Sequence, residues 1–375
     1  MKRLINSVAF ALLFSVSFHV SSEAPADAPS GVELDKTLEL FKGWSRRKAF
    51  PDSVSFAYYM AYSFHTLGAN IEPATRTRLV QFVSTSQQKD GGFASNPTYG
   101  TRSNVIYTYY ALETLRLLGT LDAIDRDRTT AFISSLVQGD GSIKPAIAED
   151  ARATLASTYY GAASLHMLDK LDVLDNSKTT AFVLNHRTSD DGFGMMAKGA
   201  ASPQAAYMAI RTLALVNGLN KEIKTGTIQY LEGAIELIGI KGAHYRSYST
   251  MQAVTYIVAT LSELDAMDEV DTDRIERFVA SRYVSENGGF GPSPGLGTTP
   301  PSTYQAVFCL AELGKLNPPG SGKGEEKKKI IFRYQLPVDE FELIQIHYSP
   351  SLPPGGGSYR DIFFYISALN IFRVY

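Results

Sequence analysis

The sequence predicts an all-α fold, an α6/α6 toroid of six inner and six outer helices, followed by a short C-terminal β-rich extension. Three observations carry the prediction. A unit of about 50 residues repeats: "YTYYALETLRLLGTLDAIDRDRTTAFISSL" (107–136) returns as "STYYGAASLHMLDKLDVLDNSKTTAFVLNH" (157–186) and, more diverged, at 254–283. Each unit joins a half that is apolar on all sides to a half with charges on one face, the signatures of a buried and a surface helix. A Gly-aromatic stretch recurs between units, as "QKDGGF", "SDDGFG" and "ENGGFG".

Buried helices are expected to start near Ser53, Ser103, Ala153, Ser202, Ser249 and Ser302. Surface helices follow at 73–86, 125–137, 176–186, 221–237 and 271–283, with Asp125, Asn176 and Asp271 as N-caps. The sixth buried helix has no surface partner after it. The amphipathic segment 31–47 has no buried mate, so it is expected to fill the gap and close the ring. Closure would bury the end faces that an open stack of repeats must cap.

The loop motif (Gly91, Gly92, Phe93; Gly192, Phe193; Gly288, Gly289, Phe290) is read as a joint. Glycine releases the chain from an outer helix and the aromatic anchors the loop. All inner-helix N-termini then face one mouth, and their positive dipole ends favour an anion there. A central cavity is expected. Tyr58-Tyr59, Tyr109-Tyr110 and Tyr159-Tyr160 recur at equivalent positions, either lining that cavity or packing as core.

Outside the ring, residues 1–24 have the layout of a signal peptide: basic Lys2 and Arg3, an interrupted apolar run, then small residues. A spacer covers 25–32, the toroid 33–317, a linker 318–329, and the β-rich extension 330–375. This predicts the secretory pathway (ER lumen or secreted) or a bacterial envelope, with no transmembrane span in the mature chain. The 36 basic and 38 acidic residues give a net charge of −2 and no case for nucleic acid. The single cysteine, Cys309, permits no internal disulfide and reads as a buried helix residue.

The six helix pairs and their DGGF-type loops resemble the β subunits of protein prenyltransferases, nearest to geranylgeranyltransferase type II, and the wider terpenoid-cyclase toroids. The resemblance covers roughly 33–317. It implies a catalytic zinc held by an Asp and a Cys opening the fifth inner helix and a His opening the sixth. Thr250, Gln252 and Ser302 stand at those positions, so the zinc ligands are expected to be lost and no cofactor is predicted. It also implies a diphosphate grip before the fifth inner helix, where Lys241, His244 and Arg246 stand as a candidate anion site. The acid motif of squalene–hopene cyclases and the thioester motif of complement toroids are missing from the sequence. A glycosidase reading would need a carboxylate pair from Asp140, Glu149-Asp150 or Asp190-Asp191.

The expectation is therefore a toroid that binds protein partners of the secretory pathway as a non-catalytic scaffold, with an isoprenoid or other apolar ligand as a candidate for its cavity. Leader, zinc-free toroid and β-rich tail together also resemble the layout of ribophorin II of the oligosaccharyltransferase complex. The alternatives are a prenyltransferase-like enzyme and a small-ligand carrier.

Overall fold

The computed structural model describes residues 31–98, 102–240, 248 and 250–316. The leader, linker and β-rich extension lie outside these residues. Twelve α-helices alternate outer and inner. The outer helices are α1 (Leu34–Ser45), α3 (Pro73–Thr85), α5 (Arg126–Leu136), α7 (Asn176–Leu184), α9 (Lys221–Glu236) and α11 (Thr272–Ala280). The inner helices are α2 (Val54–Thr66), α4 (Val105–Leu117), α6 (Leu155–Met167), α8 (Pro203–Leu215), α10 (Met251–Leu264) and α12 (Pro300–Glu312). Each inner helix packs on the next, and α12 packs back on α2, so the ring is closed.

Local chemistry sets the helix starts. Asp125, Asp175 and Asp271 cap α5, α7 and α11; the cap of α7 is Asp175 rather than Asn176, its carboxylate accepting from the amides of Ser177 and Lys178. The sixth inner helix begins at Pro300, two residues before Ser302, because Pro suits the first helical position and Thr299 supplies the cap. A two-stranded ribbon, β1 (Tyr283–Val284) with β2 (Gly289–Phe290), was not anticipated; it forms inside the last Gly-aromatic loop.

The Gly-aromatic loops follow one docking rule. Gly91, Gly141 and Gly288 have φ of +93°, +84° and +79° and sit against the first turns of the next outer helices, α5, α7 and α1. The hydroxyls of Thr129, Thr179 and Thr37 donate to their carbonyls at 3.0, 2.9 and 2.5 Å. The following residues, Phe93, Ile143 and Phe290, donate their amides to Thr108, Thr158 and Thr303 of the next inner helices at 3.0–3.1 Å. One side of each loop is thus pinned outward and the other inward.

The Thr37–Gly288 bond repeats the others across 251 residues of sequence, which identifies α1 as the helix that completes the ring. The fourth loop inverts the rule. Asp191 takes the left-handed position at φ +63°, and α9 meets its side chain with Gly226.

A methyl group on Gly91 would run into the Arg128 carbonyl, and one on Gly119 (φ +63°) would meet nothing. Gly91→Ala is therefore expected to cost about 3 kcal/mol and Gly119→Ala about 1 kcal/mol, read as urea midpoints. Equal costs would show that backbone strain, not docking, sets the loop's requirement.

Candidate functional site

Six inner helices of Ala, Tyr and Leu with few charges can pack close to the ring axis. Nine tyrosines fill the centre: Tyr58 and Tyr62 (α2), Tyr109 and Tyr110 (α4), Tyr159 and Tyr160 (α6), Tyr207 (α8), Tyr256 (α10) and Tyr304 (α12), all fully buried. Ring contacts run around the barrel: Tyr304 to Tyr58 at 5.6 Å, Tyr58 to Tyr110 at 5.8 Å, Tyr109 to Tyr160 at 5.1 Å, Tyr159 to Tyr207 at 5.6 Å and Tyr207 to Tyr256 at 5.7 Å. Such pairs contribute about 0.5–1.5 kcal/mol each beyond area burial. Hydroxyls meet inside, Tyr58 with Tyr304 at 3.3 Å and Tyr159 with Tyr207 at 3.5 Å. Burial, ahead of every charge effect, pushes the phenols of Tyr58, Tyr109, Tyr159 and Tyr304 well above 10.

Of the two roles expected for the recurring tyrosines, core packing describes this level of the ring. One turn further from the mouth, Glu113, Ala163, Arg211, Ala259 and Phe308 are likewise buried.

Charges enter at that second level. Arg211 on α8 donates through Nη1 to both carboxylate oxygens of Glu263 on α10, at 3.0 and 2.9 Å, and both side chains are over nine-tenths buried. Burial, the largest single effect, works against the guanidinium, but the Glu263 carboxylate together with the phenols of Tyr207 and Tyr159 outweighs it and Arg211 stays charged. Glu113, bonded to Arg116 at 2.7 Å, has its carboxyl raised by burial, which outweighs the arginine. His65 and His166, near the same ends of α2 and α6, are lowered by burial first and by nearby arginines second.

The three positions of the implied zinc lie in the first turns of α10 and α12. Thr250 caps α10, accepting from the Ala253 amide at 3.0 Å. Ser302 bonds the cap of α12, Thr299, at 2.9 Å. Gln252 presents a buried amide nitrogen with no partner. These are one hydroxyl engaged as a cap, one bonded to a cap and a neutral amide, without a thiolate, imidazole or carboxylate, and they do not fit a zinc ion. Lys241, His244 and Arg246 lie outside the described residues.

The carboxylates of the glycosidase reading are engaged locally. Asp140 accepts from the amide and hydroxyl of Ser142, which hold it below the usual carboxylate range. Thr188 donates to Asp190 at 2.5 Å, and Arg187 pairs with Asp191 at 2.7 Å. Glu149 and Asp150 are exposed.

Cys309 is buried on α12, its thiol 3.5 Å from Thr255, and burial pushes it up to about 12. It is expected to resist a disulfide reagent at pH 8 until the chain unfolds, so that labelling rate reports global opening. Fast labelling of the folded chain would contradict the packing of α10 on α12.

These features define a class: a closed α/α toroid with a tyrosine-filled centre. The family model of the prenyltransferase alpha-alpha toroid domain matches residues 47–234 and 223–368. The chain belongs to that family. Solved structures agree on the fold. Protein geranylgeranyltransferase-I of Candida albicans, complexed with GGPP, is similar at TM-score 0.62 and 16% identity, over 75% of this chain and 91% of that one. A type II terpene cyclase from Scytonema, in complex with geranylgeranyl dihydroxybenzoate, is similar at 0.52 and 10%, over 75% and 95%. A protein from Actinoplanes gives 0.50 and 12%, over 75% and 98%. No curated protein matches the chain.

Proposed function

We propose that this toroid is an exported binding module, a scaffold that has kept the ring of the prenyltransferase family and lost its zinc chemistry. The observation that carries the reading is the layer of nine buried tyrosines that pack on one another across the inner helices. The engaged hydroxyls of Thr250 and Ser302 support it from the metal side. The leader-like segment motivates the exported compartment.

The rim supports a binding role. Four large apolar side chains are exposed among the described residues: Ile147, Met196, Ile240 and Leu296. They lie in the connections α5–α6, α7–α8, α9–α10 and α11–α12, so all four are on the mouth side of the ring. Leader and tail, on which the ribophorin-like layout rests, lie outside the described residues.

The alternative is a prenyltransferase-like enzyme, favoured by the fold shared with proteins solved with GGPP or a geranylgeranyl substrate. Metal analysis of the purified chain and calorimetric titration with geranylgeranyl diphosphate decide between them. The expected result is zinc well below one equivalent and no saturable heat. One tightly held equivalent of zinc, or micromolar binding of the diphosphate, would sink the scaffold reading.

A further inference from the structure

On the side of the ring away from the mouth, the end of an inner helix faces the first turns of the outer helix packed on it. The place can be compared in α5 with α6, α7 with α8 and α11 with α12. The outer residue there is the fifth after the helix cap: Thr130, Thr180 or Glu276. The inner residue is the second after the C-cap: Lys170, Gly218 or Lys315.

In two of these pairs the space is closed from within. Lys315 binds Glu276 at 2.9 Å, and both side chains are largely buried. Gly218 lies so close to Thr180 that a methyl group there would run into the hydroxyl. The α5–α6 pair keeps the lysine, but Thr130 stands where the acid would be. The space there is an open groove of about 530 Å³, lined by Asp127, Thr130, Asp169 and Lys170 among others.

The charges of the groove sort into engaged and free ones. Asp125 caps α5, accepting from the Arg128 amide at 3.0 Å, and Asp169 pairs with Arg126 at 4.0 Å. The side chains of Asp127 and Lys170 are exposed and have no hydrogen bond or ion pair among the described residues. An unpaired surface charge is ordinary by itself. Here the lysine lines a groove whose counterpart, one repeat on the same ring, is filled by a glutamate.

We infer that this groove docks a segment of a partner protein in which a glutamate stands beside a lysine or arginine. The glutamate takes on Lys170 the place that Glu276 takes on Lys315, and Asp127 receives the basic neighbour. The segment's two charges thus meet two of opposite sign, which selects it over an acid or a base alone. The inference rests on the binding-module reading and names the kind of segment the module holds.

The test is an amide chemical-shift titration of the full chain with the blocked peptide acetyl-Gly-Glu-Lys-Gly-amide. The amides of Asp127 and Lys170 should shift saturably, and the same peptide with Gln for Glu should bind about threefold more weakly, as for an exposed ion pair. Thr130→Glu supplies the acid of the sister repeat. It should occupy Lys170 and weaken peptide binding about threefold. Lys170→Gln should weaken it equally, erase the difference between the two peptides and leave the melting temperature unchanged.

No saturable shift at the groove, or binding unchanged in both variants, would overturn the inference. So would a lowered melting temperature in Lys170→Gln, which would make the lysine structural. Free glutamate binding as tightly as the peptide would overturn it in favour of a small-molecule site. Failure of the wider reading is separate: geranylgeranyl diphosphate would then bind whether or not Lys170 is present.

Discussion

Arg211→Ala is expected to destabilise the ring by about 3–5 kcal/mol, the cost of leaving a buried charge without its partner. Arg211 and Glu263 join α8 to α10, and each side chain is over nine-tenths buried, so little water is at hand to replace the guanidinium. The arginine also contributes packing through its aliphatic stem, which the alanine forfeits. The double variant Arg211→Met with Glu263→Leu removes both charges and keeps most of the volume. It is expected to lie within about 1 kcal/mol of the native chain or above it. Urea unfolding of both single variants and the double closes a thermodynamic cycle. A double variant as unstable as the sum of the two singles would show that each charge serves a separate partner.

The ring was legible in the sequence because its determinants are local. The 50-residue repeat, the alternation of apolar and amphipathic halves, and the caps place eleven helices to within a few residues. The twelfth, α1, follows from counting, and the Thr37–Gly288 bond shows why: its first turn carries the threonine that the other outer helices use. Those threonines stand in the sequence as the first of each recurring Thr-Thr-Ala-Phe, Thr129 and Thr179, but their partner is a carbonyl, which leaves no mark in the sequence.

The centre was not legible. A tyrosine on a helix that is apolar all round lines a cavity or fills it according to the radius of the ring, and that radius is set by contacts such as Tyr58 with Tyr304, 246 residues apart. Arg211 and Glu263 were missed although each is a lone charge in an apolar helix, a pattern that asks for a buried partner.

The central claim is that tyrosines fill the ring rather than line a space, and alkaline titration tests it. In the unfolded chain a phenol ionises near 10. In the folded chain burial holds Tyr58, Tyr109, Tyr159 and Tyr304 well above that. Their contribution to stability is thus fully present below pH 10 and is lost as pH rises above it, since only the unfolded state releases the protons. Four such phenols give a slope of about 5 kcal/mol per pH unit, enough to consume an ordinary folding free energy within about two to three units. Tyrosinate absorbance and helical circular dichroism should be followed together from pH 9 upward. The account predicts that a large cooperative rise in absorbance coincides with loss of helix. Tyrosines that all ionise smoothly near pH 10 while the helices persist would contradict it, and would mean that solvent reaches the centre of the ring.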